Sequence, residues 1–180
     1  MKLIILDRDG VINYDSDNFI KSPEEWRPLP GSLAALARLT HAGYTIVVAT
    51  NQSGVARGLY DLIMLNQIHE KMLAEVKEAG GKIDAIFYCP HGPWDHCECR
   101  KPKPGLFSEI AKHYQQSLQG VPAIGDSFRD LEAATAAGCE AILVLTGNGS
   151  DTLAKNKLTN IPVYSDLSEV VKHLLSEPRP

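Results

Sequence analysis

Short, continuous runs of branched apolar residues recur along the chain and alternate with amphipathic helical patterns. The apolar runs include "KLIIL" (2–6), "YTIVVAT" (44–50) and "EAILVLTG" (140–147). An amphipathic helical pattern occurs in "SLAALARLTHAG" (32–43). Such runs are typical of strands buried on both faces of a sheet, and helices join neighbouring strands of a parallel sheet. The pattern therefore predicts an α/β fold, a three-layer α/β/α sandwich with a mostly parallel, Rossmann-like sheet.

Turn and capping residues refine this prediction. Ser32 is the predicted N-cap of the first helix and Gly43 its C-terminal cap, because these residue types favour those positions. The pattern further predicts strands at 85–89 and 121–127 and helices at 59–81, 105–118, 130–139 and 167–175. Ligands of such folds bind beyond the carboxyl ends of the strands.

Composition limits the class of protein. The 180 residues, 44% of them hydrophobic, predict one domain over 1–180, with a loop at 88–101 that holds three of the four cysteines. A net charge of −4 argues against nucleic acid or an anionic membrane as a partner. The first apolar run is too short for a signal peptide and ends at Asp7, and no run could span a bilayer. We therefore expect a cytoplasmic monomer with reduced thiols.

Polar residues follow three of the predicted strands, in "LIILDRDG", "IVVATNQSG" and "PAIGDSFRD". The fold would bring them to one rim of the sheet: Asp7, Asp9, Thr50, Asn51, Asp126 and Asp130. Taken alone, the Asp-Gly pair could be no more than a turn. Carboxylates that converge repel one another unless a cation lies between them, and hard oxygen ligands without thiols favour Mg²⁺. The rim is thus a candidate magnesium site.

These motifs together resemble the haloacid dehalogenase superfamily of phosphatases. D-x-D-G follows the first strand, T-N-Q the second, and G-D-x-x-x-D a later one, with a lysine between. The resemblance covers almost the whole chain. It implies Mg²⁺-dependent phosphate transfer through an aspartyl-phosphate intermediate.

The resemblance assigns a role to each motif residue. Asp7 would be the nucleophile and Asp9 the general acid and base. Thr50 and Lys101 would bind the phosphoryl oxygens, where charge develops in the transition state. Lys103 is the alternative to Lys101, which is favoured because the segment "CRKP", with Lys101 two residues after Cys99, resembles the corresponding segment of relatives.

The same resemblance assigns the magnesium ligands. They would be the Asp7 carboxylate, the Asp9 backbone carbonyl and the Asp126 carboxylate. Asp130 would lie behind them and orient either the lysine or a metal-bound water.

The cysteine-rich stretch has the form C-x-H-x₅-C-x-C. Its candidate ligands are Cys89, His91, Cys97 and Cys99. Three thiolates and one imidazole complete a tetrahedral Zn²⁺ shell with no open position, which is typical of a structural site. His96 is a competing ligand, and Cys139 is predicted to be a buried thiol outside the site. Bound zinc would direct Arg100 and Lys101 toward the rim.

Two substrate assignments remain open, because phosphatases with such a zinc-binding loop look like two related groups. One group acts on heptose bisphosphates, and the other acts on histidinol phosphate. The segments "TNQSGVARG", "YCPHGP", "CRKPKPG" and "LTGNG" resemble the heptose group, whose product enters the synthesis of nucleotide-activated heptose. A bisphosphate also needs cations for its second phosphate, which Arg57 and Arg100 could supply. The predicted substrate-binding residues are Asp15, Asn18, Asn51, Gln52, Ser53, Arg57, Arg100 and Ser127.

No large insert that could form a cap domain follows the first or second motif. The walls of an open site would be formed by the segments 13–26 and 53–61 and by the loop 88–101, called here the zinc loop. Trp26 and Trp94 are candidates for wall packing, although tryptophan more often fills the core or the rim. A non-catalytic, zinc-stabilised interaction module is the alternative from another class. The full set of motif residues argues against that alternative.

Overall fold

The computed structural model describes residues 1–176 and contains one parallel sheet of six strands, in the order β3-β2-β1-β4-β5-β6. The strands are β1 (Lys2–Leu6), β2 (Tyr44–Asn51), β3 (Ala85–Cys89), β4 (Pro122–Gly125), β5 (Glu140–Val144) and β6 (Val163–Tyr164). The helices are α1 (Ser32–His41), α2 (Leu62–Glu78), α3 (Gly105–Tyr114), α4 (Phe128–Ala136), α5 (Gly149–Lys155) and α6 (Leu167–Ser176), with a 3₁₀ helix at Pro23–Glu25. The predicted α/β/α sandwich is confirmed.

The core is divided by the sheet into two layers. Ile4 and Leu6 of β1 face a cluster that includes apolar residues of α1, α2 and α6. Leu3 and Ile5 face the opposite cluster, which includes residues of α3 and α4. Because side chains alternate along a strand, burial on both faces requires the continuous apolar run that β1 has.

The central position of β1 creates the site. It pairs with β2 through registers such as Ile4 with Ile46, and with β4 on its other side. The chain first builds outward from β1 to β2 and β3, and then from β4 to β5 and β6 on the other side. This reversal opens a crevice at the carboxyl ends of β1 and β4, the expected ligand position in such sheets.

The ends of several predicted elements shift by up to three residues, and three further details differ from the sequence predictions. Ser32 is the first residue of α1 and not its N-cap, because its hydroxyl donates to the carbonyls of Ile12 and Leu29. Helix α3 ends at Tyr114 and does not reach Leu118, because Gln115 adopts a left-handed φ of 49°. The elements β6 and α5 were not predicted, since the first has two residues and the second has seven without a side-chain cap.

The two tryptophans occupy different environments. Trp26 is fully buried in the core, so its prediction as a wall residue was wrong. Trp94 is 52% exposed and stays at the surface of the zinc loop. Within residues 1–176, no helix is both long enough and apolar enough to cross a membrane.

Candidate active site

A cavity of about 420 Å³ lies at the carboxyl edge of the sheet. The predicted rim residues line it: Asp7, Asp9, Thr50, Asn51, Lys101, Asp126 and Asp130. Asp7 follows β1 directly, and its N–H donates to the carbonyl of Ile124 at 2.9 Å, which continues the pairing of β1 with β4. The end of the central strand therefore fixes the backbone of the first motif.

Lys101 is buried among oxygen atoms at the centre of the site. Its ammonium lies 3.1 Å from Asp7 Oδ1 and 2.7 Å from Asp130 Oδ1, and it donates to the carbonyl of Ala49 at 2.8 Å. The side chain is 3% exposed, and although burial alone would lower the pKa of Lys101, the two carboxylates raise it. Lys103 instead forms an exposed salt bridge with Glu98 and stays outside the cavity.

Asp130 holds Lys101 from behind. Its second oxygen, Oδ2, accepts from the N–H and hydroxyl of Ser127 at 3.0 and 2.8 Å and from the N–H of Asp126 at 3.2 Å. Burial opposes ionisation, but the Lys101 ammonium and the Ser127 donors lower the pKa of Asp130. Both oxygens of Asp130 are thus occupied by protein donors, which fits the predicted role of orienting the lysine.

Asp7 and Asp126 are suited to share a cation. Oxygens of Asp7, Asp126 and Asp130 lie within 4.8 Å of one another. Burial, followed by the negative charge of Asp130, raises the pKa of Asp7 to about 7 and that of Asp126 to about 8. A divalent cation between these two carboxylates would remove the repulsion and favour their ionised forms.

Two glycines leave space for the Asp126 carboxylate. A Cβ at Gly10 or Gly147 would lie 2.1 or 2.2 Å from Asp126 Oδ2. Both glycines have positive φ angles, of 80° and 56°, which favour glycine in any case. Asp126 Oδ2 also accepts from the N–H of Asn148 at 2.7 Å, so this carboxylate lies close against Gly10 and Gly147 and is held by Asn148.

Asp9 is held by a network that the sequence analysis missed. The fully buried Arg8 donates to Asp9 Oδ1 through Nε at 3.0 Å and Nη2 at 2.9 Å. Asn13 Nδ2 donates to the same oxygen at 2.8 Å. Arg8 also contacts His69, whose pKa is lowered to about 3, first by burial and then by the Arg8 charge. The one available signal was the position of Arg8 between two motif aspartates.

The T-N-Q motif serves mainly contacts within the protein. Asn51 exchanges two hydrogen bonds of 3.0 Å with the backbone N–H and carbonyl of Lys101. Thr50 is buried, and its hydroxyl oxygen accepts from Gln52 at 2.9 Å. Ser53 lines the cavity, and Ser127 both lines it and caps α4.

The remaining predicted substrate residues are divided between the cavity and its surroundings. Asp15 lines the cavity, and its carboxylate accepts from Asn148 at 2.8 Å. Burial, followed by the charge of Asp9, raises the pKa of Asp15. Asn18 is exposed and does not line the cavity.

Arginines surround the outer part of the cavity. Arg57 does not line the cavity; its guanidinium stacks on Phe19 at 5.5 Å and Trp94 at 5.0 Å. Arg100 lines it, together with Arg129, which the sequence analysis missed. Burial, followed by the Arg129 charge, lowers the pKa of Arg100. Within residues 1–176, neither Arg100 nor Arg129 forms a salt bridge, so this region is suited to an anion.

The zinc loop brings its four predicted ligands together. Cys89 Sγ lies 3.5 Å from His91 Nδ1, 3.6 Å from Cys97 Sγ and 3.1 Å from Cys99 Sγ. All four ligand atoms lie within 4.8 Å of one another, as donors around one tetrahedral ion must. His96 is exposed and outside this group, which leaves His91 as the imidazole donor.

The fold and these residues define a hydrolase of the haloacid dehalogenase-like class. The family model described as HAD-hydrolase-like matches residues 98–170. A second family model, described as polynucleotide kinase 3 phosphatase, matches residues 2–128.

Curated relatives and solved structures resemble the chain over nearly its full length. The D-glycero-beta-D-manno-heptose-1,7-bisphosphate 7-phosphatase of Bordetella bronchiseptica is 60% identical, over 98% of this chain and 99% of that protein. The enzyme of that name from Pseudomonas putida is 54% identical, over 97% and 100%.

Two crystal structures give the same result. A D,D-heptose 1,7-bisphosphate phosphatase from B. bronchiseptica, complexed with magnesium and phosphate, has a TM-score of 0.97 at 59% identity and covers 99% of this chain and 100% of its own. The phosphatase from Burkholderia thailandensis has a TM-score of 0.79 at 44% identity, with 98% and 100% covered. The chain belongs to the family of heptose 1,7-bisphosphate 7-phosphatases within the haloacid dehalogenase-like hydrolases.

Proposed function

We propose that this protein is a phosphatase that removes the phosphate from C7 of D-glycero-beta-D-manno-heptose 1,7-bisphosphate and leaves heptose 1-phosphate. The observation that carries the proposal is the buried contact of Lys101 with Asp7 and Asp130 at the end of the central strand. The names of relatives 60% and 54% identical supply the substrate. The product, a sugar 1-phosphate, suits a later reaction that joins it to a nucleotide.

The first step is the attack of Asp7 on phosphorus. A carboxylate oxygen of Asp7 forms a bond to phosphorus, and the bond from phosphorus to the C7 oxygen breaks. Lys101 and the Thr50 hydroxyl donate to the phosphoryl oxygens, which carry the negative charge of the transition state. Lys101 is held for this role by Asp130 at 2.7 Å, so its charge is fixed before the substrate binds.

Asp9 moves the protons. It gives one proton to the departing C7 oxygen of the sugar, and then takes one from the water that attacks the aspartyl-phosphate. That second step releases inorganic phosphate and restores the Asp7 carboxylate. Asp9 is 20% exposed and lines the cavity, so it is accessible to both the leaving oxygen and the water.

We expect two metal ions to bind to this protein. Mg²⁺, held by the Asp7 and Asp126 carboxylates and the Asp9 backbone carbonyl, would reduce the repulsion between the nucleophile and the phosphate. Cys89, His91, Cys97 and Cys99 would hold a structural Zn²⁺ that orders the loop 88–101 within a single phosphatase domain. A B. bronchiseptica relative 59% identical was crystallised with magnesium and phosphate, which supports magnesium as the cofactor.

Arg100 and Arg129 are the proposed ligands of the distal phosphate, at C1. Both line the cavity, and Arg100 follows the last zinc ligand and precedes the proposed phosphoryl-binding Lys101. Arg57, which stacks on Phe19 and Trp94 outside the cavity lining, would hold these two rings in place. The contacts of Asp15 and Ser53 with the cavity support binding of the sugar hydroxyls.

Phosphate release from a panel of substrates tests the proposal. The panel holds both anomers of heptose 1,7-bisphosphate, histidinol phosphate and fructose 1,6-bisphosphate, each with Mg²⁺ and with a chelator. We expect the highest kcat/KM on the beta anomer with Mg²⁺, and ³¹P NMR of the product should identify a 1-phosphate. Faster hydrolysis of histidinol phosphate than of heptose bisphosphate would overturn the substrate assignment. Absence of hydrolysis of every substrate would favour the alternative of a non-catalytic, zinc-stabilised interaction module.

A further inference from the structure

Gln52 is buried between two proposed catalytic residues and contacts both through one nitrogen. Its Nε2 lies 3.0 Å from Asp9 Oδ2 and 2.9 Å from Thr50 Oγ1, and the residue is 3% exposed. An amide nitrogen carries two hydrogens, so these two bonds use both of them. Gln52 therefore has no amide hydrogen left for the substrate, although it was predicted to bind it.

Tyr60 fixes the orientation of this amide. Its hydroxyl donates to Gln52 Oε1 at 2.6 Å, and burial raises the pKa of Tyr60 to about 12, so the hydroxyl stays protonated. A rotated amide would set Oε1 against the Asp9 carboxylate, where two acceptors face each other. Gly54 makes room for the ring, because a Cβ there would lie 2.2 Å from Tyr60 Cε1.

The orientation of Gln52 has a consequence on each side. Thr50 accepts from Gln52 through its oxygen, which leaves its own hydroxyl hydrogen free to donate to a phosphoryl oxygen. Arg8 and Asn13 donate to Asp9 Oδ1, Arg8 Nη2 also lies 3.1 Å from Asp9 Oδ2, and Gln52 adds a second contact to Oδ2 from the side of β2. One amide thus contacts both a proton donor and a phosphoryl ligand, and it contributes to the direction of each.

We propose that Gln52 is a positioning residue that aligns Asp9 and Thr50 together, and that Tyr60 acts through Gln52 by fixing its amide. The inference rests on the proposed function, which gives Asp9 and Thr50 their roles. It predicts a defect that depends on the leaving group. A sugar alkoxide requires a proton from Asp9, whereas p-nitrophenolate departs with much less help.

The variants Tyr60→Phe, Gln52→Met and their double mutant test this inference, with Tyr44→Phe as the matched control. Tyr44 is partly buried at the opposite end of β2, away from the cavity. We expect Tyr60→Phe to lower kcat on heptose bisphosphate roughly fivefold to fiftyfold, with KM changed less than about twofold. The loss on p-nitrophenyl phosphate should be several times smaller. Tyr44→Phe should match the wild type on both substrates.

The double mutant separates action through Gln52 from independent action. If Tyr60 acts through Gln52, the double mutant is no slower than Gln52→Met alone. Losses that multiply, or equal losses on the two substrates, would overturn the inference.

An NMR measurement does not depend on turnover. The side-chain amide signals of Gln52, assigned by their absence in Gln52→Met, should shift in Tyr60→Phe and stay unchanged in Tyr44→Phe. Unchanged signals in Tyr60→Phe would also overturn the inference. Failure of the proposed function would instead appear in the wild type, as absence of hydrolysis of the bisphosphate.

Discussion

The inner and outer halves of the cavity are built in different ways. In the inner half, Asp7, Lys101 and Asp130 are nearly buried, and protein atoms hold each charged group at a short distance. In the outer half, Arg100 is half-buried and Arg129 is exposed. The inner groups come from the end of β1, from the segment before α3 and from α4, and they are fixed by contacts with one another, whereas the two arginines of the outer half form no salt bridge within residues 1–176.

This difference assigns chemistry and specificity to separate parts of the molecule. A buried charge that loses its partner carries a large free-energy cost, so the inner half tolerates little change. An exposed arginine retains its hydration when a partner is absent, so residues of the outer half can be substituted to suit a different substrate at little cost in stability. The zinc loop joins the halves, because Arg100 and Lys101 directly follow its last ligand, Cys99.

Removing the nucleophile should break the inner half most completely. Asp7→Asn replaces the attacking carboxylate with an amide, and we expect kcat to fall by about 10⁴-fold or more. Asp151→Asn is the control, since Asp151 is an exposed residue of α5 and, within residues 1–176, its salt bridge is with Lys155 at 3.3 Å. Phosphate release from any substrate that the wild type hydrolyses measures kcat of both variants. Near-normal turnover by Asp7→Asn would refute the covalent mechanism.

The two lysines near the zinc loop compare a buried charge with an exposed one. Lys101→Met leaves Asp130 without its cation. We expect the free energy of unfolding to fall by about 3 kcal/mol and kcat to fall by roughly a hundredfold or more. Lys103→Met removes only the exposed pair with Glu98 and should leave both quantities near the wild type. Urea unfolding measures the stability of the two variants, and phosphate release measures their kcat. Equal effects of the two substitutions would contradict the assignment of Lys101.

The inner half was largely predictable from sequence, whereas the outer half was not. Asp7 and Asp126 end parallel strands, and the carboxyl ends of such strands meet at one edge, so pattern alone brings them together. Asn18 depends on the path of a loop, which no periodicity encodes, and Arg129 on α4 occupies a position that the G-D-x-x-x-D motif leaves unspecified. Arg8 was missed because a buried arginine is rare unless it is paired, and its partner is its own neighbour, Asp9.

The zinc site should connect stability with activity. Cys97→Ser removes one of four ligands, so we expect loss of the approximately one zinc per chain, a lower Tm and reduced kcat/KM, since metal binding orders the loop. Cys139→Ser is the control, because Cys139 lies outside the ligand group. Elemental analysis and thermal unfolding measure both variants. A zinc-free wild type of full stability would remove the structural metal.

The smallest effect should be selective, and it concerns the outer half. Arg100 is half-buried, lines the cavity, and donates to the carbonyl of His91 at a long 3.4 Å. A distal phosphate would give Arg100 and Arg129 the anion that they lack. A charge-assisted contact of this kind contributes about 1.5–3 kcal/mol, or roughly ten- to a hundredfold in kcat/KM.

Arg100→Ala should therefore lower kcat/KM strongly on heptose bisphosphate and only slightly on p-nitrophenyl phosphate, which has no second phosphate. Arg129→Ala should have the same selectivity with a smaller loss, because the exposed Arg129 is better hydrated in the free enzyme. Arg38→Ala on α1, far from the cavity, should change neither substrate. Equal losses on both substrates would move Arg100 into the inner half, where its charge would serve the transferred phosphate, and the division between chemistry and specificity would then fail at this residue.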